Sequence, residues 1–317
     1  MVLVTGATGF VGRQVVRVLR AHGRPVRALV HTSVRASVLA QTGATSAPGS
    51  VLDLPSLRAA ARGAEAVVHL VAIIRERPRR GLTFQAVNYQ GTRNVVQAAR
   101  ESGVRRLVHM SALGAQDNLR YPYLRSKWQG ERAVMEGGIP YTILRPSILF
   151  GEGDEFLNSL AAVARALPVV PVIGSGRTRF QPISVEDVAE CVARALDSPA
   201  LEGQIVEFGG PHHLTYDDLM DIVVRTLRVR RAKLHVPVGA MRPAIAVMSA
   251  LLPRPPITGH ELDMVAVDNV AELDSTRRHF DLEPRPVEGN IDYVRRLTLA
   301  DSWKILLGRM SPHVRDH

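Results

Sequence analysis

Tyr123 and Lys127 lie four residues apart, a spacing that brings two side chains to one face of an α-helix. A tyrosine, whose pKa in water is about 10, donates or accepts a proton at a carbonyl or alcohol, and a nearby ammonium group favours its ionised form. The pair therefore predicts acid–base chemistry at such a group. Because this spacing is common by itself, its weight depends on the surrounding elements.

A glycine-rich turn near the start of the chain suggests a second chemistry. In Thr5-Gly6-Ala7-Thr8-Gly9-Phe10-Val11-Gly12, Gly6 would make the tight turn after a strand and Gly9 would let the backbone approach a pyrophosphate. Gly12 would let the following helix pack closely on the sheet, with its positive N-terminus directed at the phosphates. Since the turn follows a predicted strand and opens an amphipathic helix, it predicts binding of a nicotinamide dinucleotide.

The choice between NAD and NADP depends on the end of the second strand. Proteins that select NAD place a carboxylate there for the ribose 2′-hydroxyl, but residues 29–35 contain none. Arg13 and Arg35, with the hydroxyls of Thr32 and Ser33, suit a 2′-phosphate instead. The sequence therefore favours NADP(H) over NAD(H). The alternative is that both arginines are solvated helix residues.

The elements that must position these groups alternate along the first half of the chain. Short apolar runs predict buried strands at Val2–Thr5, Val26–Val30, 66–71, 107–111 and 141–149. Apolar residues three and four apart predict helices at 12–21, 54–62, 84–102 and 123–136. This alternation predicts an α/β fold with a Rossmann-type doubly wound parallel sheet.

The second half is less regular and predicts a smaller, mostly helical lobe. Helices are expected at 154–167, 185–196, 215–227 and 289–307, with Thr215 as the N-cap of the third. One more strand is expected at Gln204–Phe208. We expect a Rossmann domain over 1–150 that also receives this strand, a boundary near 151–154, and a second lobe over 151–317.

Composition restricts the class of protein. The chain has 317 residues, 46% hydrophobic and 22% charged, as in an ordinary globular protein. Its formal charge of +10 favours anionic partners, but no nucleic-acid motif is present, so no nucleic-acid partner is expected. The single cysteine, Cys191, excludes an internal disulfide and suits a reducing compartment. His212 and His213 lack further ligands at metal spacing, so no metal site is expected.

No apolar run approaches the roughly 20 residues that span a bilayer, so no transmembrane segment is expected. The chain is expected to be cytoplasmic, with a peripheral position at the inner face of the membrane as a further possibility.

Taken together, these motifs resemble the short-chain dehydrogenase/reductase superfamily in its extended or atypical branch. The resemblance covers most of the chain and rests on five segments: Thr5-Gly6-x-x-Gly9-x-x-Gly12, Asn88-x-x-Gly91-Thr92, Tyr123-x-x-x-Lys127, Arg145-Pro146-Ser147 and Val185-Glu186-Asp187-Val188-Ala189. It implies that Tyr123 is the catalytic acid or base, that Lys127 holds the nicotinamide ribose, and that backbone at Ser147 and Ile148 contacts the nicotinamide carboxamide. The full set of expected cofactor contacts is Gly6, Thr8, Gly9, Phe10, Val11, Gly12, Arg13, His31, Thr32, Arg35, Ser50, Val51, Leu70, Val71, Ala72, Asn88, Met110, Tyr123, Lys127, Pro146, Ser147 and Ile148.

The chain departs from the family pattern at the end of the fifth strand. There the family has a catalytic Ser or Thr, whereas this chain reads His109-Met110-Ser111-Ala112-Leu113-Gly114. Ser111 is the candidate third catalytic residue. An alternative alignment puts Ala112 at that position, which would leave Ser111 as a strand residue and the catalytic set incomplete.

Finer segments, among them residues 73–77, 173–183 and 252–269, resemble bacterial relatives of the NAD(P)H-binding accessory subunit of respiratory complex I. In that family a tightly held NADPH is mainly structural. Two hypotheses remain open: an NADPH-holding accessory or assembly protein of a membrane-associated complex, or an NADP-dependent reductase or epimerase of a small carbonyl or alcohol. A docking role for residues 240–252 or for the C-terminal helix would favour the first. Intact Tyr123 and Lys127, with the arginine-rich loop at 75–80, would favour the second.

Overall fold

The computed structural model describes residues 1–31, 39, 42–251 and 257–308. The chain divides into two units. The first comprises residues 1–146, 185–208 and 275–282, and the second comprises residues 147–184, 209–274 and 283 onward. The second lobe is thus interrupted twice by segments that return to the first unit.

Thirteen strands are found among the described residues. They are β1 (Val2–Thr5), β2 (Val26–Val30), β3 (Thr45–Pro48), β4 (Ala66–His69), β5 (Arg106–Met110), β6 (Tyr141–Pro146), β7 (Leu149–Phe150), β8 (Val169–Ile173), β9 (Arg179–Phe180), β10 (Ile183–Ser184), β11 (Gln204–Phe208), β12 (Leu214–Thr215) and β13 (Ala232–Val236).

The α-helices of the same described ranges are α1 (Phe10–Ala21), α2 (Leu54–Ala61), α3 (Gly91–Glu101), α4 (Pro122–Met135), α5 (Phe156–Ala166), α6 (Val185–Asp197), α7 (Tyr216–Leu227), α8 (Val238–Leu251), α9 (Gly259–Val265), α10 (Ser275–Phe280) and α11 (Leu299–Leu306).

Seven strands form one parallel sheet in the first unit, in the order β11-β6-β5-β4-β1-β2-β3. All residues of β1 and β4 are buried, as their runs of Val and Ala require for central strands. Helix α1 packs against α6, while α2, α3 and α4 pack in succession. The order reverses beside β1, which is the doubly wound arrangement, and the predicted fold class is confirmed.

The second unit is built on small two-stranded sheets and helices. β8 pairs with β13 and β7 with β10, both in parallel, and β9 pairs with β12 in antiparallel fashion. Its core joins buried side chains of α5 and α7, such as Leu157 and Leu219. The side chain of Thr215 accepts a hydrogen bond from the Asp218 amide at the start of α7, as predicted for an N-cap.

Several predicted boundaries differ from the structure. The predicted strand at 141–149 divides after Pro146, and the predicted helix at 84–102 begins with a π-helical segment, Gln85–Gln90, before α3. The single helix predicted at 289–307 is wrong. A 3₁₀ turn at Asp292–Arg296 is followed by a new start at α11, because Thr298 and Asp301 form a capping box.

Candidate functional site

The glycine turn packs as closely as its sequence predicts. Gly6 has φ 78°, in the left-handed region. A Cβ atom at Gly6 would lie 3.1 Å from the Val71 amide nitrogen, so the turn lies directly against the segment after β4. A Cβ atom at Gly12 would lie 2.0 Å from the Gly6 carbonyl oxygen, which leaves no room for any side chain.

The start of α1 suits an anionic ligand. Gly9 is the N-cap and is exposed, and its amide donates to the Gly6 carbonyl over 3.0 Å. Thr8, Phe10 and Val11 are partly exposed around it, and the first turn of the helix contains no carboxylate. Exposed amides at a helix N-terminus without a competing carboxylate fit the phosphates of a dinucleotide. Arg13 follows, half-buried, in this first turn.

Further expected cofactor contacts follow β2 and β3 along the chain. His31 is exposed directly after β2, whereas Thr32 and Arg35 lie outside the described residues. The Ser50 amide donates to the Ser56 hydroxyl over 3.2 Å. Val51 is buried. Its carbonyl accepts from a side chain of α3, so this loop is held in place from two sides.

Asn88 organises the segment that follows β4. Its amide side chain accepts from the Ile73 amide over 2.8 Å and donates to the Ile73 carbonyl over 3.0 Å. It also donates to the Ser126 hydroxyl over 2.9 Å. Asn88 is 1% exposed, so its polar atoms tie the loop after Leu70, Val71 and Ala72 to helix α4. The structure therefore gives Asn88 a positioning contact with the protein.

Lys127 is almost fully buried, at 2% exposure, and its Nζ donates to the Met110 carbonyl at the end of β5 over 2.6 Å. Burial lowers the pKa of Lys127 to about 8, while the charge of Glu131, one turn further along α4, acts in the opposite direction. The ammonium group is thus held at the carboxyl end of β5, with part of its charge offset by a carboxylate.

Tyr123 is half-buried on the same helix, and its ring makes an edge contact with Phe84 at 6.0 Å between centroids. Burial raises the pKa of Tyr123 to about 12. Lys127 is predicted to favour the ionised phenol, whereas desolvation of the ring acts in the opposite direction.

A polar stripe that the sequence analysis missed crosses the sheet beneath Lys127. The Thr5 hydroxyl lies 2.7 Å from Nδ1 of His69, whose Nε2 lies 3.0 Å from the Thr92 hydroxyl. The His109 ring stacks on His69 at 5.1 Å, and neither of its nitrogens has a hydrogen-bond partner within the described ranges. Burial lowers the pKa of His69 to about 3 and holds that of His109 well below its usual value, so both rings are neutral beside Lys127. The available signal was the equivalent position of the three polar residues, Thr5, His69 and His109, on adjacent strands.

Ser111 belongs to a buried ion-pair network. Its hydroxyl donates to Glu131, which is fully buried and bonded twice to the Arg145 guanidinium, over 2.8 and 2.6 Å. Arg145 also reaches Glu207 on β11 over 2.8 Å. The network joins α4 to β5, β6 and β11. Ser111 is therefore bonded to a structural carboxylate, and its neighbour Ala112 has no hydroxyl.

In the second unit, the two residues after Pro146 are bonded to Asn269. The Ser147 hydroxyl lies 2.8 Å from the Asn269 backbone carbonyl and 2.7 Å from its Oδ1. The Ile148 amide donates to the same Oδ1 over 3.1 Å. Asn269, which the sequence analysis did not assign to the site, thus fixes the backbone predicted to contact nicotinamide.

Comparison with known proteins agrees with this geometry. The chain is 31% identical to the mitochondrial NADH dehydrogenase [ubiquinone] 1 alpha subcomplex subunit 9 of Arabidopsis thaliana, over 74% of this chain and 60% of that protein. It is 33% identical to the ceramide reductase of Caulobacter vibrioides, over 63% of this chain and 62% of that protein. The chain thus spans less than two thirds of the length of either relative.

Among solved structures, a short-chain dehydrogenase/reductase superfamily protein from Agrobacterium tumefaciens with bound NAD has a TM-score of 0.69 and 22% identity, over 96% of this chain and 97% of that one. The model of the NAD dependent epimerase/dehydratase family matches residues 2–209. The resemblance to extended short-chain dehydrogenases and to the complex I accessory subunit is thereby confirmed. The chain belongs to the NAD dependent epimerase/dehydratase family.

Proposed function

We propose that this chain holds NADP(H) as an accessory or assembly protein of a membrane-associated protein complex, with the cofactor serving structure rather than turnover. The observation that carries the proposal is the bond between Ser111 and the buried Glu131. It commits the one hydroxyl at the end of β5 to the ion-pair network. Tyr123 then has no serine partner there, and burial raises the pKa of its phenol to about 12, above the usual value of 10.0.

The residues predicted to bind the cofactor support the same proposal. The close packing at Gly6 and Gly12, the exposed N-cap at Gly9 and the buried Lys127 supply what a dinucleotide needs. The relatives named as NADH dehydrogenase subunits belong to a membrane complex, which suggests a comparable partner here. We place the protein in the cytoplasm, peripheral at the inner face of the membrane.

For the cofactor we propose NADP(H) rather than NAD(H). Residues 29–35, at the end of β2 and directly after it, contain no carboxylate, and Arg13 stands directly after the third glycine of the turn. A guanidinium here would form charge-assisted hydrogen bonds with a 2′-phosphate, which are stronger than the hydrogen bond that it could donate to a neutral 2′-hydroxyl. Thr32 and Arg35 are proposed to complete this subsite.

The test is the cofactor that the purified protein retains and its response to substitution. We expect co-purifying NADP(H), tighter binding of NADPH than of NADH, and loss of that preference in Arg13→Ala. Tyr123→Phe should keep the cofactor, because the phenol is not needed to hold it. Tighter binding of NADH would reject the NADP assignment, and an empty protein that binds neither would reject the function as a whole.

A second function has its own support. Tyr123 and Lys127 are both present on one helix, and a relative at 33% identity is named a ceramide reductase. We therefore keep an NADP-dependent reductase or epimerase of a small carbonyl or alcohol as the alternative, with Tyr123 as acid or base and the arginine-rich loop at 75–80 near an anionic substrate group. Oxidation of NADPH by a panel of carbonyl compounds, abolished in Tyr123→Phe, would establish this alternative and overturn the accessory role.

A further inference from the structure

The solvent-exposed face of helix α8 is apolar, unlike that of an ordinary surface helix. Val238, Met241, Ile245 and Met248 follow one another at helical spacing and pack on the core of the second unit, with Ile245 fully buried. A helix that packs in this way normally presents charged or polar residues on its opposite side. Here the opposite side is apolar and exposed, and it comprises Gly239, Ala240, Pro243, Ala246, Val247 and Ala250.

The most exposed large side chain of this face is Val247, at 57%. In β13, just before the helix, Leu234 is also 57% exposed. Placing such side chains in water costs free energy in proportion to their apolar area. The charged side chain of the helix, Arg242, stands beside this face and is paired with Asp263. The exposed face is thus unusually apolar for a surface in contact with water alone.

The chain segment that contains the helix carries only basic charges. Residues 228–260 contain six Lys and Arg and not one Asp or Glu, although 30 acidic residues occur in the whole chain. Lys233 is paired with Asp217 and Asp221 from α7, and the Arg231 guanidinium donates to the Ala164 carbonyl. Arg228 and Arg230 are exposed just ahead of β13. These two guanidinium groups would attract an anionic surface.

We infer that α8 docks in the plane of a bilayer that contains anionic phospholipid, with its apolar face in the interfacial layer and Arg228 and Arg230 near the headgroups. Fourteen residues of helix are about 21 Å long, too short for a hydrocarbon core of about 30 Å, so the helix would lie on the membrane and not cross it. In keeping with this, no helix of the described part of the chain is long and apolar enough to span a bilayer.

A lipid surface suits this face better than a protein surface does. Protein interfaces are enriched in aromatic residues and carry about one hydrogen bond per 100–200 Å². The face named above has neither aromatic rings nor hydrogen-bonding side chains. Basic residues beside an apolar helix face are the usual composition of an interfacial helix. The inference deepens the peripheral location in the proposed function and rests on that part of it.

The test measures flotation of the full chain, loaded with NADPH, with two kinds of vesicle: phosphatidylcholine alone, and phosphatidylcholine with phosphatidylglycerol. We expect binding to the second kind, weakened by salt. Val247→Glu should reduce it by about tenfold or more, because a carboxylate would replace an inserted apolar side chain and repel the anionic lipid. The matched control is Leu299→Glu on α11, since Leu299 is also exposed, at 54%, in the same unit.

A second pair of variants tests the charge. Arg230→Gln should weaken binding to the anionic vesicles by about fivefold, whereas Arg177→Gln, at another exposed arginine of this unit, should leave it unchanged. Failure of the wild type to bind anionic vesicles, or full binding by Val247→Glu, would overturn the inference. So would loss of binding in Leu299→Glu, which would assign the contact to α11.

A docking surface for protein would give a different result. In that case the wild type would float with neither vesicle but would cross-link to a protein partner, and Val247→Glu would abolish the cross-link. The lipid inference would then be wrong. NADPH binding is measured on the same samples. Failed flotation with NADPH retained therefore rejects this inference alone, whereas loss of both rejects the proposed function as well.

Discussion

The two ends of the predicted cofactor site are built by different means. At the phosphate end, backbone packs directly against backbone, and a Cβ atom at Gly12 would lie 2.0 Å from a carbonyl oxygen. At the predicted nicotinamide end of the first unit, side chains are bonded within the protein: Ser111 to Glu131, Glu131 to Arg145, and Lys127 to the backbone carbonyl of Met110. The first end leaves the residues at the N-terminus of α1 partly exposed, and the second bonds these polar side chains to other groups of the protein.

This difference suggests that the two ends serve separate purposes. Exposed amides at a helix N-terminus bind an anion without any further change in the protein. A buried carboxylate that bonds both a serine and an arginine stabilises the fold and leaves the serine bound to the carboxylate rather than to a substrate. The chain therefore combines a phosphate end that fits a dinucleotide with a predicted nicotinamide end whose polar side chains are paired within the protein.

The largest effect is expected where the pairing at the nicotinamide end is broken. Glu131→Ala would leave the Arg145 guanidinium, 16% exposed, with one partner and would remove the acceptor of Ser111. We expect a loss of about 4 kcal/mol in the free energy of unfolding, as for other broken buried pairs. Urea unfolding is followed by the fluorescence of Trp128 on α4, in a Trp303→Phe background, so that it reports the first unit.

The control variant removes Glu207, the second carboxylate partner of Arg145. Glu207 is 46% exposed, so Glu207→Ala should cost less than about 1 kcal/mol. If the two variants were equally destabilised, Arg145 would be held by its surface partner, and the buried network would not be the stabilising feature.

At the phosphate end, Gly12→Ala should cost about 3 kcal/mol, because α1 must shift away from Gly6 to admit a methyl group. The same shift moves the helix N-terminus, so NADPH binding should be lost in the protein that still folds. Gly259→Ala is the matched control, since a Cβ atom there meets nothing within 4 Å. Retained binding in Gly12→Ala would show that the turn tolerates displacement and that its close packing is not needed for the cofactor.

The phosphate end could be predicted from sequence because the spacing of its glycines marks the positions at which the backbone leaves no room for a side chain. The nicotinamide end could not: Glu131 and Arg145 are 14 residues apart and meet through the packing of α4 against β6. Strands β1 and β2 were predicted at their observed bounds from short apolar runs, and the predicted bounds of β11 also agree with the structure. Helix α8 was recognised as apolar but not as a helix, because its exposed face lacks the polar residues that mark a period.

Titration of Lys127 is expected to have a smaller effect. It should change the free energy of unfolding and the NADPH affinity in opposite directions. Its pKa of about 8 lies below the usual value of 10.5, so between these values the unfolded chain binds the proton and the folded chain does not. The free energy of unfolding should therefore rise with pH over this range. NADPH affinity should instead fall by about tenfold as pH rises through about 8, because the cation proposed to hold the ribose is lost.

Lys127→Met provides the comparison for both measurements. It should bind NADPH about tenfold more weakly at neutral pH, and its affinity should not decline further through this range. A wild-type affinity that stayed constant with pH, measured by fluorescence titration of NADPH, would place the ribose contact on another residue.

The smallest effect is expected at Ser111, whose hydroxyl is either a structural group bonded to Glu131 or a catalytic group. Ser111→Ala removes one hydrogen bond to the buried Glu131 and should cost about 1 kcal/mol of stability, while NADPH affinity stays within about twofold of the wild type. Ser126→Ala is the control for losing a buried serine hydroxyl on α4, and it should loosen Asn88 instead. If Ser111→Ala kept its stability but abolished an NADPH-dependent reduction that the wild type performs, the serine would act on a substrate. The nicotinamide end would then be catalytic despite its pairing.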